Sequence, residues 1–432
     1  MTTIILGAGM AGLAAASKLT GDYIIIEPKN YIGGRIHTEE IPLGPMEMGA
    51  GWLHGAGQSE DDPAGNGENP LIQICLDSEI STAYDDAKIQ FVSSKGPIDP
   101  ATLGKLRQQW GEFRSNAPTT TFSEAADTFA ANSDISQAKE FALGLSFGSG
   151  VSPSLATTDT PPLNGRDLVT LHGYKAVTHA VAKGLNQHAF QFGYMATSIR
   201  FDKGEIVVRA DLYHAPIHYD GPAPAEVKEF RGANLIVAVP LSILRKNFIA
   251  FHPPLPDTLT TVIKDSEVNH IGKVYLEFPH RFWDESVDKF FVVGEQPALI
   301  YNWCKAHSSD RHILSILVVD ELCVQAEAEA APKEIWAMID SYFNLINVTQ
   351  EPVPTPTFVK SSKWSVDPFV RGTNARFKSP EARAEAVRAF EQGAKRIYFA
   401  GEHTTLNGAG SVHGAYISGL RAAEQLKKDE HA

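Results

Sequence analysis

Three glycines near the start of the chain have the spacing of a phosphate-binding turn. Gly7, Gly9 and Gly12 form G-x-G-x-x-G between an apolar run, residues 4–6, and an alanine-rich stretch with a helical pattern, residues 13–19. The first glycine permits a tight turn, the second lets the backbone approach a pyrophosphate, and the third lets the helix pack closely on the strand. Because helix N-termini bind phosphate groups, the pattern predicts a dinucleotide site.

A carboxylate follows at the distance that such a site requires. Glu27 ends a second apolar run, residues 23–26, and lies 20 positions after Gly7. This spacing is typical of an acid that binds a ribose hydroxyl. An acidic rather than a basic residue argues against a 2′-phosphate, so the predicted cofactor is FAD or NAD rather than NADP.

Residues 400–419, AGEHTTLNGAGSVHGAYISG, are a second glycine-rich stretch, and an apolar run precedes them. The pattern predicts a strand, a turn and a helix. Taken alone, it also fits a helix that merely packs on a sheet and whose glycines only make turns.

The triplet Gly33, Gly34 and Arg35 separates FAD from NAD, because nothing in nicotinamide binding requires G-G-R after the acid. From here the sequence resembles the flavin-dependent amine oxidase family, and within it the polyamine and spermine oxidases of yeast type. Six ordered blocks carry the resemblance: MEMGAGWLHG (46–55), HGYKAVTHAVA (172–182), LIVAVPLSIL (235–244), HIGKVYLEF (270–278), KWSVDPFVRG (363–372) and residues 400–419.

The resemblance implies an α/β fold: a Rossmann-like FAD-binding domain of the GR2 type with an inserted α+β substrate-binding domain. We expect a discontinuous FAD-binding domain of residues 1–70, 162–242 and 370–432 and a substrate-binding domain of residues 71–161 and 243–369. Members with covalent flavin have a cysteine after the glycine at position 372. Thr373 stands there in this chain, so FAD is expected to bind noncovalently.

The same resemblance implies which residues contact FAD. They are Gly7, Gly9, Met10, Ala11, Gly12, Glu27, Gly33, Gly34, Arg35, Gly49, Ala50, Gly51, Trp52, Ala196, Trp364, Gly401, Glu402, Gly410, Ser411, Val412 and Ala415. The N-terminus of the last helix would point at the flavin, and its dipole would stabilise negative charge on the reduced ring.

Two residues are expected to be catalytic. Lys273 resembles the lysine that holds a water against flavin N5. Without the resemblance it would be a solvated strand residue, on the face opposite Val274, Leu276 and Phe278. His54 resembles the histidine near the substrate amine, although a lone histidine is more often a surface or core residue.

Two more positions, with His54, are expected to contact the substrate. They are Asn374 and Ser411, where many relatives have aromatic residues that sandwich the amine. Yeast-type members also have a small residue at the second position. Asn374 departs from the usual aromatic residue, and this departure leaves the identity of the amine open.

The resemblance implies oxidation of a polyamine such as spermine, spermidine or an acetylated derivative. A hydride passes to flavin N5, the imine hydrolyses to an aldehyde and a shorter amine, and O2 is expected to reoxidise the flavin to give hydrogen peroxide. One alternative is another amine or L-amino-acid oxidase or dehydrogenase on the same fold, which would need a buried arginine for the carboxylate, with Arg166, Arg281 and Arg371 as candidates. An alternative from another class is a chromatin-tail demethylase or protein-binding module, against which the absence of a long charged helical insertion argues.

Charge and composition limit the partners. The net charge of −13 suits a small cationic substrate and disfavours nucleic acid. No apolar run reaches membrane-spanning length, and Cys75, Cys304 and Cys323 form no CxxC pair, so no metal site is predicted. We expect a cytoplasmic protein, either a monomer or a dimer.

Overall fold

Short apolar runs and amphipathic segments alternate along the chain and define its strands and helices. The computed structural model describes residues 2–59, 62–65, 67–116, 119–155, 166–212, 225–303 and 310–431. In chain order the strands are β1 Thr3–Leu6, β2 Tyr23–Glu27, β3 Thr38–Ile41, β4 Gly44–Glu47, β5 Leu53–Ala56, β6 Thr82–Tyr84, β7 Ile89–Ser93, β8 Gly96–Pro97, β9 Arg166–Thr170, β10 Phe190–Phe192, β11 Tyr194–Asp202, β12 Glu205–Leu212, β13 Glu226–Gly232, β14 Asn234–Val237, β15 Ala250–His252, β16 Glu267–Val268, β17 Ile271–Glu277, β18 Lys289–Val292, β19 Ala298–Asn302, β20 Ile313–Val319, β21 Phe358–Ser361, β22 Ala375–Arg376 and β23 Ile397–Phe399.

The helices are fewer, and several begin at a proline, which is favoured in the first turn because its missing N–H is not needed there. In chain order they are α1 Met10–Lys18, α2 Pro70–Asp77, α3 Pro100–Asn116, α4 Phe122–Ala131, α5 Ala138–Gly144, α6 Lys175–Ala182, α7 Leu241–Arg245, α8 Asp257–Asp265, α9 Asp320–Ala328, α10 Pro332–Leu345, α11 Pro380–Gln392 and α12 Val412–His431.

The chain divides into two compact units, each made of separated stretches. The first contains Met1–Asp85, Leu163–Val268 and Asp367–Ala432, and the second contains Asp86–Pro162 and Asn269–Val366. Each unit has its own sheets and its own buried apolar clusters.

A five-stranded parallel sheet forms the centre of the first unit, in the order β10-β2-β1-β14-β23. Strand β23, near the C-terminus, pairs with β14, which pairs with β1 near the N-terminus. Residues of β1 alternate between two apolar clusters: Ile5 belongs to the cluster with α1, and Ile4 and Leu6 belong to the other. The sheet is therefore buried on both faces, as a parallel sheet normally is. The predicted α/β fold with a Rossmann-like domain is confirmed.

Smaller sheets complete the first unit. Strands β11, β12 and β13 are antiparallel, and β15 is added parallel to β11. Strand β9 lies between β5 and β6 in a three-stranded antiparallel sheet.

The second unit contains a seven-stranded sheet in the order β21-β17-β20-β19-β18-β7-β8, antiparallel except where β7 meets β18. Strand β17, which carries Lys273, lies between β20 and β21. Apolar residues of α9 and α10 pack with this sheet in one cluster.

The compact units differ from the predicted domains in two long stretches. Residues 71–85 and 243–268 lie in the first unit, not with the inserted segment. Helix α2 places Leu71, Ile72 and Cys75 in the first apolar cluster, and β6 pairs with β9. Similarly, Leu259, Val262 and Ile263 of α8 join the second cluster. These helices bury their apolar residues in the clusters of the first unit, and this burial places them there. The local sequence pattern does not show which core a helix will cover.

None of the helices in the described part of the chain is both long and apolar enough to cross a membrane.

Candidate active site

The glycine-rich turn after β1 has the close contacts that its three glycines were expected to permit. Gly7 has a φ of +101°, and a Cβ there would lie 2.9 Å from the Ala238 carbonyl oxygen. A Cβ on Gly12 would lie 1.9 Å from the carbonyl oxygen of Gly7, so α1 can approach β1 only with glycine at that position. Gly9 is different: its φ is −73°, and a Cβ there would have no atom within 4 Å. The open space at Gly9 is where a cofactor would approach the backbone.

Helix α1 begins directly after this turn with Met10 and Ala11. Its N-cap is Gly9, which provides no side-chain hydrogen bond. The first-turn N–H groups therefore remain for an anionic ligand, to which the helix dipole adds attraction. A dinucleotide pyrophosphate fits this turn, because glycine leaves open the space in front of it.

Glu27 lies at the end of β2, against the same turn. Its Oε2 accepts a hydrogen bond from the Ala8 N–H at 2.8 Å, and Oε1 accepts one from the Lys29 N–H at 3.0 Å. Burial raises the pKa of the Glu27 carboxyl, and these two N–H donors oppose the rise. The acid and the glycine turn are thus parts of one structure, as their spacing predicts.

An ion pair beside Glu27 was not found by sequence reasoning. Lys29 Nζ lies 2.5 Å from Asp367 Oδ2 and donates to the Tyr31 hydroxyl at 2.9 Å. Burial acts to lower the pKa of Lys29, but the Asp367 carboxylate and Tyr31 raise it above its usual value. Asp367 belongs to the W-x-x-D-P block, which gave the only signal that the residue mattered.

The G-G-R triplet packs on the glycine turn. The Gly33 N–H donates to the Ala8 carbonyl at 2.9 Å, and a Cβ on Gly34 would lie 3.3 Å from the Gly9 Cα. The next segment, residues 49–52, follows alongside, since the Ala50 N–H donates to the Arg35 carbonyl at 3.1 Å. The structure therefore brings residues 7–12, 33–35 and 49–52 together in the first unit.

Arg35 connects this group to the C-terminal block. Its Nη1 donates to Glu402 Oε1 at 3.0 Å and to the Thr373 carbonyl oxygen. Glu402 is 4% exposed, and its carboxylate also accepts from the Ala375 N–H at 3.3 Å. Together with other residues these groups line a small cavity, formed by Arg35, Pro240, Leu241, Ser242, Val268, Val370, Gly372, Thr373, Asn374, Ala375 and Glu402.

The last helix begins beside Asn374. Ser411 caps α12: its Oγ accepts from the Gly414 N–H at 3.2 Å, and its carbonyl accepts from the Ala415 N–H at 3.1 Å. A Cβ on Gly410 would lie 3.1 Å from Asn374 Nδ2. Asn374 and Ser411, the two residues expected to contact the substrate with His54, therefore both lie next to Gly410.

His54 and Trp52 are each held by a carboxylate. His54 Nδ1 lies 2.8 Å from Asp167 Oδ1, and Trp52 Nε1 donates to Asp85 Oδ2 at 2.6 Å. Strand pairing explains the first contact, because β5 carries His54 and β9 carries Asp167. Neither acid belongs to a block that resembles the family, and so the sequence analysis missed both.

Two buried histidines in the C-terminal block were also missed. Burial, and secondarily the charge of His54, lowers the pKa of His413 to about 4; its Nδ1 lies 2.9 Å from Ser411 Oγ. His403 is 1% exposed and packs edge-on against Phe390. Burial lowers its pKa to about 4. Both rings are therefore neutral at pH 7.

Ala196 lies on β11 and is 7% exposed. It pairs with Ala210 on β12, next to a register shift between Ala196 and Ser198. It also belongs to the apolar cluster that covers the second face of the parallel sheet.

Lys273 and Trp364 lie in the second unit and are 8% and 5% exposed. On β17 both faces are covered, since Lys273 and Tyr275 are buried as well as Val274 and Leu276. The alternative of a solvated strand lysine is therefore wrong. Glu277, at the end of the strand, is partly exposed and accepts from Arg311 Nε at 2.7 Å.

Within the described ranges, no group of three or more His, Cys, Asp or Glu side chains is placed to hold a metal ion. Cys75 and Cys323 are buried free thiols, and Cys304 lies outside the described residues.

Known proteins resemble this chain in sequence over most of its length. A profile of the family "flavin containing amine oxidoreductase" matches residues 79–427, and a profile of the NAD(P)-binding Rossmann-like domain matches residues 5–61. The corticosteroid-binding protein of Candida albicans is 25% identical, with 98% of this chain and 94% of that protein aligned. Polyamine oxidase 1 of Zea mays is 24% identical, with 98% and 89% aligned.

Solved structures share the fold. Wild-type putrescine oxidase bound to putrescine matches with a TM-score of 0.72 at 19% sequence identity, covering 99% of each chain.

Proposed function

The chain belongs to the family of flavin-containing amine oxidoreductases, and we propose that within it the protein is an FAD-dependent polyamine oxidase. FAD is the cofactor. Polyamine oxidases of Zea mays and Oryza sativa are among the relatives, at 23–25% identity. At this distance the choice of amine rests on the chain's own residues.

The observation that carries the proposal is the pair of carboxylates beside His54 and Trp52. Asp167 and Asp85 both lie on the sheet of β5, β9 and β6 or at its end, and the Asp85 N–H donates to the Asp167 carbonyl at 2.9 Å. Asp167 is 41% exposed on its side chain. Such carboxylates attract the ammonium groups of a polycation.

The residues have separable tasks in this proposal. When bound, FAD would supply the hydride acceptor for oxidation of the carbon next to the amine nitrogen. The glycine turn, Glu27 and the N-terminus of α1 bind the cofactor's dinucleotide part. Asp167 engages Nδ1 of His54 and so orients the ring, and Nε2 is the atom that can accept a proton from the substrate ammonium. Molecular oxygen is the proposed acceptor of the electrons, with hydrogen peroxide as product.

The arginines weigh against an amino-acid oxidase. Arg281 is paired with Glu285, Arg166 lies 3.5 Å from the centre of the Tyr84 ring and donates to the Gln58 carbonyl, and Arg371 lies over Phe248. Each of these three candidate guanidinium groups already has a contact of its own. The demethylase alternative is less well supported, since this chain aligns with 58% of the length of the lysine-specific histone demethylase 1 homolog 2 of Arabidopsis thaliana, at 22% identity.

A panel of amines tests the proposal. We expect spermine, spermidine or an acetylated polyamine to give the highest kcat/KM for peroxide release in air, followed by putrescine, with monoamines and amino acids far lower. Anaerobic bleaching of the flavin by the same amines separates substrate choice from the acceptor. Faster bleaching by an L-amino acid than by any polyamine would contradict the proposed substrate, and bleaching without peroxide would identify a dehydrogenase.

The flavin should be released when the protein is denatured. Thr373 occupies the position of the linking cysteine, and the two described thiols, Cys75 and Cys323, are buried, with burial raising the pKa of Cys75 to about 11. A thiol with so high a pKa is a poor nucleophile. After trichloroacetic acid precipitation, the yellow colour should remain in the supernatant and migrate as FAD in chromatography. Colour that stays with the pellet would contradict noncovalent binding.

A further inference from the structure

A buried carboxylate in the second unit has no place in the proposed chemistry so far. Glu327 lies on α9 in the run AEAEAA, which has the composition of an exposed helix end. It is nevertheless only 1% exposed. A buried carboxylate is costly unless its oxygens are hydrogen-bonded, so its contacts should indicate its role.

Both carboxylate oxygens are bonded to the segment around Trp364. Oε1 accepts from the Ser362 hydroxyl at 2.5 Å, and Oε2 accepts from the Ser365 N–H at 2.5 Å. Hydrogen bonds that a carboxylate accepts are stronger than those between neutral groups. They fix the backbone on both sides of Trp364.

The same serine continues the chain of bonds to β17. Ser362 Oγ accepts from the Lys273 N–H at 2.9 Å, and the Ser362 N–H donates to the Lys273 carbonyl at 2.8 Å. The regular pairing of β17 with β21 ends one residue earlier, at Val274 and Ser361. Lys273 is still paired with Leu317 of β20; on the β21 side it is bonded to Ser362, which is itself bonded to Glu327.

Close packing leaves Glu327 little freedom. A Cβ on Gly272 would lie 2.8 Å from Cys323 Sγ and 3.3 Å from Glu327 Oε1, so α9 touches β17 at the residue before Lys273. Lys363 Nζ donates to the Glu327 carbonyl at 2.6 Å. Glu327 is thus bonded through its carboxylate and its backbone carbonyl in a closely packed place, and it can transmit a fixed position to Lys273 and Trp364.

We propose that Glu327 is a positioning residue, which through Ser362 and Ser365 sets where Lys273 and Trp364 are held. This rests on the proposed function and on the catalytic role that the family resemblance implies for Lys273. Glu327 itself does not touch substrate or cofactor in this proposal.

Glu327→Gln tests it in a double-mutant cycle with Lys273→Met. Glutamine keeps the shape but places an NH2 group against either the Ser365 N–H or the Ser362 hydroxyl. We expect anaerobic flavin reduction at saturating spermine to slow on the order of 10-fold, as misplacement of a reacting group does, with the apparent affinity for spermine little changed. In the Lys273→Met background the same substitution should have a clearly smaller effect, because only the part that acts through Trp364 remains. Equal factors in both backgrounds would overturn the proposal.

A second readout needs no substrate. Hydrogen exchange followed by mass spectrometry of the holoenzyme should show faster exchange at the Lys273 amide in Glu327→Gln and in Ser362→Ala, which removes only the relay hydroxyl. Glu321→Gln, on the exposed first turn of the same helix, is the matched control and should behave as wild type. Unchanged protection of the Lys273 amide in both variants would overturn the proposal whether or not the enzyme oxidises polyamines.

The wild-type arm of the same experiment reports on the proposed function separately. If spermine fails to reduce the wild-type flavin but exchange at Lys273 responds to Glu327→Gln, the substrate is wrong and the structural link stands. If spermine reduces it and Glu327→Gln changes neither rate nor exchange, the inference about Glu327 is wrong.

Discussion

Lys273→Met is expected to slow both half-reactions of the flavin by on the order of 10²-fold, about 2.7 kcal/mol of barrier. Methionine keeps the length and apolar stem of lysine, and it suits a site that is only 8% exposed. What it removes is the ammonium donor, which in the proposed role holds a water at flavin N5. FAD should remain bound, because the glycine turn, Glu27 and Arg35 belong to the other unit.

Stopped-flow absorbance of the flavin measures the two halves separately: reduction by spermine without oxygen, and reoxidation of the reduced enzyme by O2. Lys289→Met is the matched control, since Lys289 is another buried lysine of the same sheet, 6% exposed, with its ammonium 5.2 Å from the centre of the Tyr301 ring. Glu277→Gln should also cost little, because that side chain is bound to Arg311 at the strand end. Wild-type rates in Lys273→Met would refute the assignment of the catalytic lysine to β17.

The sequence predicted those features that depend on short-range spacing. Gly7, Gly12 and Glu27 have contacts that follow from their order along one β-turn-α-β unit, so local rules suffice for them. The placement of β23 in the sheet of β1 could also be predicted, because the closing block resembles a family in which both chain ends build one domain.

Pairs that are distant in sequence could not be predicted. Lys29 and Asp367 are separated by 338 positions, and nothing near either residue specifies the other. Asp167 meets His54 only because β9 lies between β5 and β6. The sequence analysis did not single out Glu327, because burial depends on what α9 packs against, which the helix's own sequence does not contain.

The alternation on β17 shows the same limit. It placed Val274, Leu276 and Phe278 on one face and Lys273 on the other, and without the resemblance it would have left Lys273 in solvent, as in a sheet covered on one side. Here α9 touches the strand at Gly272, and Lys273 and Tyr275 are buried with their neighbours. Period-two patterns indicate which residues share a face, but the covering of each face is decided by distant segments.

The two glycines Gly9 and Gly12 allow cofactor binding to be separated from folding. For Gly9→Ala we expect the apoprotein to unfold at the wild-type temperature, because φ is −73° and a Cβ has no neighbour within 4 Å. The new methyl group would instead meet the bound pyrophosphate. Crowding of a filled site costs about 1–3 kcal/mol, which corresponds to roughly 5- to 150-fold weaker FAD affinity.

Gly12→Ala should give the opposite result. Its Cβ would lie 1.9 Å from the Gly7 carbonyl oxygen. That oxygen is backbone and cannot rotate away, so α1 must move away from β1. The apoprotein itself should then unfold at a lower temperature, and FAD affinity should fall as a consequence. Thermal unfolding of flavin-free protein, with FAD titrations followed by flavin fluorescence, measures the two effects independently. Gly104→Ala is the control for the substitution, because Gly104 lies within α3 with no atom within 4 Å of its Cβ position. If Gly9→Ala bound FAD as tightly as wild type, the open space before α1 would not be where the pyrophosphate lies, and the cofactor would have to be held chiefly by Arg35, Glu402 and the start of α12.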